Sequence, residues 1–228
     1  MIGIIGAMDI EVNEICKKIK DKTTKTKGKV EFYSGTISGK AVVVAQCGVG
    51  KVNAALATLN MINTFRVDAI INIGVAGALD NQLNICDIVI SREVVQHDFD
   101  TSAVGDPVGY ITGFNDVAFT ADKRLIDLCK ELSEFFTEKM YIGKVATGDQ
   151  FVTSKEVKNN IIRNFEAYCC EMEGGAIAQA CTLNDIPFLI VRSISDKADG
   201  SATMSYEEFK YKAAETSSRL VEKLIESI

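Results

Sequence analysis

The sequence predicts an α/β protein, a three-layer α/β/α sandwich whose mixed central sheet is mostly covered on both faces. Three observations carry that reading. Short apolar runs alternate along the chain with segments of helical period. Several of those runs are continuously apolar rather than alternating, as strands buried on both faces are. The chain also has only two prolines, no low-complexity stretch and no repeat, so its 228 residues read as one domain spanning 1–228.

The elements follow in order. Ile2–Met8 is an apolar run bounded by glycines, which suits a buried strand, and D-I-E-V-N-E-I-C-K-K-I after it has helical spacing with Asp9 and Glu11 in the first turn. Glu31–Ser38 and Ala41–Cys47 read as strands, and Gly39-Lys40 between them predicts a hairpin. Gly48-Val49-Gly50-Lys51 opens an Ala- and Leu-rich helix from Val52 to about Phe65. Ala69–Ile73 is an apolar strand running into G-V-A-G-A, and Asp87–Ser91 is another. Residues 97–117 show no clear period, and a loop of that length is usually functional or mobile. A helix is expected over Asp122–Thr137, a strand over Ile142–Thr147 and a helix from Ser154. Tyr168 to Ala180 holds a turn with Glu171 and Glu173 and then a small-residue helix to about Asn184. Pro187–Ile194 is a strongly apolar strand, and a last helix spans roughly Ser205 to Ile225.

Composition narrows the function. With 47% hydrophobic and 25% charged residues and a net charge of −6 of interspersed sign, nothing invites nucleic acid or an anionic membrane. No apolar run reaches spanning length, and Met1 leads straight into I-G-I-I-G, so a cytoplasmic protein is expected. The seven cysteines form no C-x-x-C and stand beside a single histidine, His97. They read as buried reduced thiols; no metal site and no cofactor are expected. One histidine also removes most His-dependent hydrolase triads.

Three clusters carry chemistry. In C-C-E-M-E-G-G, two carboxylates stand on either side of Met172, and the expectation is that one faces a cleft while the other is tied into the scaffold. A surface turn with two solvated acids is the plainer reading. In V-R-S-I-S-D, Arg192, Ser193, Ser195 and Asp196 end an apolar strand; either Arg192 and Asp196 form a structural pair, or an acid is held by a hydroxyl with a cation close by. In M-D-I-E, Glu11 is either a solvated first-turn acid or part of the site. G-V-G-K is no phosphate loop, because that motif needs Gly at 45 and Ser or Thr at 52 where the chain has Ala45 and Val52.

Taken in order, G-I-I-G-A-M-D-I-E-V, C-G-V-G-K-V-N-A-A, I-N-I-G-V-A-G-A-L, H-D-F-D, T-G-D-Q-F, E-M-E-G-G-A-I-A and R-S-I-S-D resemble the 5′-methylthioadenosine/S-adenosylhomocysteine nucleosidases of the nucleoside phosphorylase superfamily. The resemblance covers essentially the whole chain and implies cleavage of the bond between adenine N9 and the ribose carbon. It implies Asp196, held by Ser195, as the acid that protonates N7, and Glu11 as the base that activates water, with Arg192 helping to orient it. It implies Met172 and Glu173 as the ribose clamp, Phe151 and Val152 as the adenine segment, and Met8, Val49, Ala76, Gly77 and Tyr206 as the remaining walls. Related phosphorylases cradle phosphate with arginines in two segments that here read A-M-D-I-E and I-N-I-G-V-A, without arginine, so water is the expected nucleophile. The chain departs from the family pattern at Val75, at Tyr206 and through the 97–117 loop. The resemblance also implies a homodimer with a partner loop closing the pocket, for which 97–117 is the candidate. The alternatives are hydrolysis of another purine nucleoside, such as a futalosine-type compound, and a non-catalytic nucleoside-binding protein.

Overall fold

A computed structural model describes residues 1–228. β1 (Ile2–Gly6), buried at every position, leads through Ala7-Met8 into α1 (Asp9–Lys18). β2 (Lys20–Lys27), β3 (Val30–Ile37) and β4 (Lys40–Gln46) form an antiparallel meander, and α2 (Lys51–Phe65) returns the chain to β5 (Ala69–Ala78). β6 (Ile88–Gln96), β7 (Phe119–Thr120), α3 (Lys123–Leu132) and β8 (Met140–Thr147) follow. α4 (Lys155–Phe165), β9 (Cys169–Glu171), α5 (Gly174–Leu183), β10 (Phe188–Asp196) and α6 (Ala202–Ser227) complete the chain.

The strands form one mixed sheet in the order β10-β6-β8-β9-β5-β1-β4-β3-β2, with β7 against β6. The expected mixed, covered sheet is present, with one feature the pattern could not show. β10 also pairs with β5, so β5, β9, β8, β6 and β10 close a ring from which β1, β4, β3 and β2 extend. The length of β5 allows this. Its first half pairs with β1, its last residues Gly77 and Ala78 pair with β9, and its other edge runs along β10 throughout. Packing fixes the helices in two groups, α1 and α3 against α6, and α2 against α5. Fifty buried apolar residues make the main core, and a satellite of nine, including Val152, Phe165 and Cys170, lies beneath the loops near β8 and α4.

The missed elements share a cause. β2, K-D-K-T-T-K-T-K, has no apolar residue and is exposed throughout, so no alternation marks it; pairing with β3 alone makes it a strand. β7 and β9 are two and three residues long, too short for a period. The hairpin turn falls at Ser38-Gly39, both at positive φ (50° and 78°), one residue earlier than read. β6 runs on to Gln96, α3 stops at Leu132 before a short 3₁₀ turn, and α6 begins at Ala202. All seven cysteines are unpaired, and six of them are buried.

Candidate active site

The strand ends build the site, as is usual where parallel strands deliver their loops to one place. The β1–α1 connection brings Ala7, Met8 and Glu11. The turn after β4 brings Val49, β5 brings Val75, Ala76 and Gly77, β9 brings Cys170 and Glu171, and β10 brings Ser195 and Asp196. Together with Gln150, Phe151, Val152, Met172, Glu173 and Tyr206 they enclose a cleft of about 570 Å³ of empty space, partly open to solvent. Ten of the 17 lining residues are hydrophobic and none is lysine or arginine, so charge in this cleft is carried by acids alone.

Glu11 is not solvated. It is 3% exposed, and Oε2 accepts hydrogen bonds from the backbone N–H of Ala7 (2.7 Å) and Met8 (3.0 Å) while Oε1 accepts one from Val75 (3.1 Å). Burial pushes its pKa above the usual carboxylate range, opposed by the Arg192 charge and by those three N–H donors. Gly74 is required here, because a Cβ on it would stand 2.6 Å from Glu11 Oε1 and 3.0 Å from Arg192 Nη1.

Glu171 and Glu173 divide their work because the strand ends between them: an extended pair at i and i+2 would share a face, but the chain bends after Glu171 and Glu173 caps α5 at φ −131° and ψ −40°. Glu171 is the scaffold acid. It sits in register opposite Thr147, whose hydroxyl donates to Oε1, and its Oε2 accepts from the N–H of Glu173 (3.0 Å) and of Gly174 (2.7 Å) and from Arg192. Burial pushes its pKa up, but Arg192 and Thr147 outweigh burial and hold it below the usual value. Glu173 turns to the cleft. Its Oε1 accepts from the Gly50 N–H (2.9 Å), and its Oε2 stands 3.8 Å from Arg192 Nη2. Burial and the neighbouring Glu171 push its pKa up to about 8 against the pull of Arg192.

Arg192 differs most from expectation. It is 1% exposed and does not line the cleft. Neither does it pair with Asp196 or hydrogen-bond Glu11: Nη2 donates to Glu171 and to Asn72 Oδ1 (2.5 Å), and Nη1 to the Val191 carbonyl (3.2 Å). It acts on Glu11 and Glu173 as a charge set behind them, so the expected contact that would orient Glu11 is supplied by the Ala7, Met8 and Val75 amides instead. The structural Arg192–Asp196 pair is likewise absent.

Asp196 is aimed by a register irregularity. β10 pairs Ile194 with Ala76 and Asp196 with Gly77, so Ser195 is the extra residue of a bulge, a feature common beside active sites. Ser195 Oγ donates to Oδ2 (2.9 Å) and the Ala198 N–H to Oδ1 (2.8 Å). Burial raises the pKa, those two hydrogen bonds lower it, and the net shift is upward. Gly77 permits the approach, since a Cβ on it would stand 2.8 Å from Oδ1. On the opposite wall the Phe151 and Tyr206 rings meet edge to face at 5.4 Å, and the Tyr206 hydroxyl reaches Met8 Sδ at 3.2 Å.

The structure thus gathers Glu11, Glu173, Asp196, Met8, Val49, Ala76, Gly77, Phe151, Val152, Met172, Ser195 and Tyr206 around one cleft, and leaves Arg192 behind it. The sequence reading passed over Gln150 and Cys170 in the wall, and Thr147 and Asn72 in the network beneath. T-G-D-Q-F held Thr147 and Gln150 in plain view. Asn72, flanked by isoleucines mid-strand, carried a signal too: an amide buried there needs a partner. No residue of 97–117 lines the cleft of this chain. Chemically, the cleft offers three acids with raised pKa values, Glu11, Asp196 and Glu173, between apolar walls, a set suited to moving protons around a centre that becomes positively charged.

Comparison with known proteins places this geometry. The model of the phosphorylase superfamily matches residues 1–226. The chain is 42% identical over 229 aligned residues to the 5′-methylthioadenosine/S-adenosylhomocysteine nucleosidase of Staphylococcus aureus, covering 100% of both chains. The crystal structure of the corresponding enzyme from Neisseria meningitidis in complex with methylthio-immucillin-A superposes with a TM-score of 0.97 at 36% identity, over 100% of this chain and 99% of that one. The futalosine hydrolase of Helicobacter pylori superposes with a TM-score of 0.96 at 36% identity, over 100% and 97%. A cleft walled by acids at the strand ends, a family model matched nearly end to end and a full-length relative at 42% identity agree: the chain belongs to the phosphorylase superfamily and, within it, to the 5′-methylthioadenosine/S-adenosylhomocysteine nucleosidases.

Proposed function

We propose that the chain hydrolyses the N-glycosidic bond of 5′-methylthioadenosine and S-adenosylhomocysteine, releasing adenine and the 5-thioribose sugar. The observation that carries this is the cleft's charge: four carboxylates, Glu11, Glu171, Glu173 and Asp196, line it and no cationic side chain does. Adenine leaves poorly as an anion, so Asp196, whose pKa burial raises, donates a proton to N7 as the C1′–N9 bond breaks. Positive charge grows on the ribose, and Glu173 lies where it accepts the sugar hydroxyls and faces that charge. Water attacks C1′ and gives its proton to Glu11, whose proton affinity burial raises. Arg192 keeps Glu171 ionised, and Glu171 in turn holds the Glu173 and Gly174 backbone in place. Phe151 and Val152 receive the base, and Met8, Val49 and Tyr206 flank the 5′ end.

The same reading extends to assembly. Val52, Leu56 and Leu59 on α2 and Leu183 on α5 are exposed apolar residues on two helices that pack together beside the cleft, which supports a homodimer in which the partner's 97–117 segment closes the pocket. That no helix is long and apolar enough to cross a membrane, together with seven unpaired thiols, supports a cytoplasmic location. A second reading, hydrolysis of a futalosine-type nucleoside, is favoured by the structural likeness to the Helicobacter pylori futalosine hydrolase. Incubating the protein with methylthioadenosine, S-adenosylhomocysteine, futalosine and inosine, with and without phosphate, tests both. Free sugar at a phosphate-independent rate is expected, fastest from the two adenine nucleosides; a sugar 1-phosphate product refutes hydrolysis.

A further inference from the structure

Three motifs that the chemistry above leaves unused meet at one point on the rim of the cleft. Asp98, two residues past β6, points one carboxylate oxygen at Lys51 Nζ (2.7 Å) and takes the Asp149 N–H on the other (2.9 Å). Asp149 in turn accepts the Lys51 N–H at the head of α2 on its own carboxylate (2.8 Å). Lys51, Asp98 and Asp149 therefore form a closed ring of polar contacts joining the glycine turn, the start of the 97–117 loop and the loop after β8. Two glycines make the ring possible. Gly50 adopts φ 97°, and a Cβ there would stand 3.1 Å from Asp149 Oδ1; Gly148 lies against the His97 imidazole, where a Cβ would collide with the ring.

Both arms of the ring end in the cleft. On one side the residue next to Lys51 is Gly50, whose N–H holds Glu173, and next to that is the wall residue Val49. On the other side Asp149 is followed directly by the wall residues Gln150, Phe151 and Val152. We propose that Asp98 is a positioning residue: with Lys51 and Asp149 it sets the separation between the α2 head that holds Glu173 and the wall that receives the base. The proposal rests on the reading of the cleft as a nucleoside site. Lys51 and Asp98 side chains are only 19% and 25% exposed, so the pair is largely shielded from water and holds the two segments against each other. The glycine turn and the loop after β8 both carry wall residues, and Lys51 is the first residue of α2, so the ring ties the head of that helix to the loop that carries the opposite wall.

The test compares Asp98→Asn, Lys51→Met, the double variant and Lys51→Arg with wild type, measuring kcat and KM for methylthioadenosine, adenine affinity and melting temperature. The ring positions the base wall directly and reaches Glu173 only through the Gly50 N–H, and it touches neither Glu11 nor Asp196. KM and the adenine Kd are therefore expected to rise roughly tenfold, about the worth of one charge-assisted hydrogen bond, with kcat within about threefold. The double variant is expected to lose no more than either single one, because each opens the same ring, and Lys51→Arg to stay near wild type. A merely destabilised fold would lower kcat through a smaller active fraction and leave KM unchanged, and that result overturns the proposal. So do unchanged constants in both single variants, or losses that add in the double. A wild-type protein that releases no adenine overturns the nucleosidase reading and this proposal with it; an active wild type with unaffected variants overturns the ring alone.

Discussion

Replacing Asp196 by Asn separates its chemistry from its place in the fold. The amide keeps the volume and an oxygen for the Ala198 N–H, now at 2.8 Å, and only the contact with Ser195 must reorganise. Ser195 Oγ already lies 3.4 Å from the Ala76 carbonyl, which offers its hydroxyl another acceptor. A charged hydrogen bond exchanged for a neutral one costs about 1 kcal/mol. The relief of burying a neutral amide rather than a carboxylate offsets part of that. The net change corresponds to no more than about 2–4 °C in melting temperature for a chain of this size. The catalytic loss is of another order. An amide cannot pass a proton to N7, and placed acid catalysis is worth about 10²–10⁴-fold, or roughly 3–5 kcal/mol of barrier. Adenine release measured by chromatography over a pH series, beside calorimetric melting, reads both quantities. A variant that melts many degrees lower yet turns over normally would refute the argument, making Asp196 a structural acid.

Two further outcomes follow from the acids. Glu11→Gln should lower turnover by about 10²-fold or more, the usual worth of a placed base, while adenine affinity stays near wild type because Phe151 and Val152 are untouched; equal turnover would remove Glu11 from the mechanism. Burial and the neighbouring Glu171 push the Glu173 pKa up from the ordinary 4.5 to about 8, so the folded state holds the extra proton between those pH values. The stability it contributes is complete below pH 4.5 and is lost as pH rises through about 8. Glu173→Gln should therefore flatten the fall in melting temperature across that window, and a slope identical to wild type would contradict the assignment.

Much of this site was legible in the sequence because its acids stand where acids are expensive. Glu171, Glu173 and Asp196 adjoin continuous apolar runs, and a carboxylate there must have partners. That Glu171 and Glu173 face different ways was expected, but the reason is the bend that ends β9 between them, since extended backbone would have put both on one face. What stayed hidden depended on pairing between distant strands. Whether Arg192 meets Asp196 four residues along, or Glu171 across the ring, is decided by the order of strands, and no local pattern encodes that order. The Lys51–Asp98–Asp149 ring was invisible for the same reason, its members separated by 47 and 51 residues. β2 failed differently. With both faces in water it has no periodicity to read, and only its threonines hinted at extended backbone.

That same strand bears on how the protein stays dispersed. Because β10 folds back onto β5, the sheet offers no free margin on that side, and its long open margin is β2. An unpaired margin is a template on which another chain can add, the starting point of domain swapping and fibrous aggregation. Here it carries four lysines in eight residues and no apolar side chain, so an incoming strand would bring its own backbone against a row of like charges with no dry surface to gain. A segment that looks unremarkable as sequence is thereby the sheet's guard against growth, and trimming its lysines for solubility or crystallisation would expose the one place where this fold is open to polymerisation.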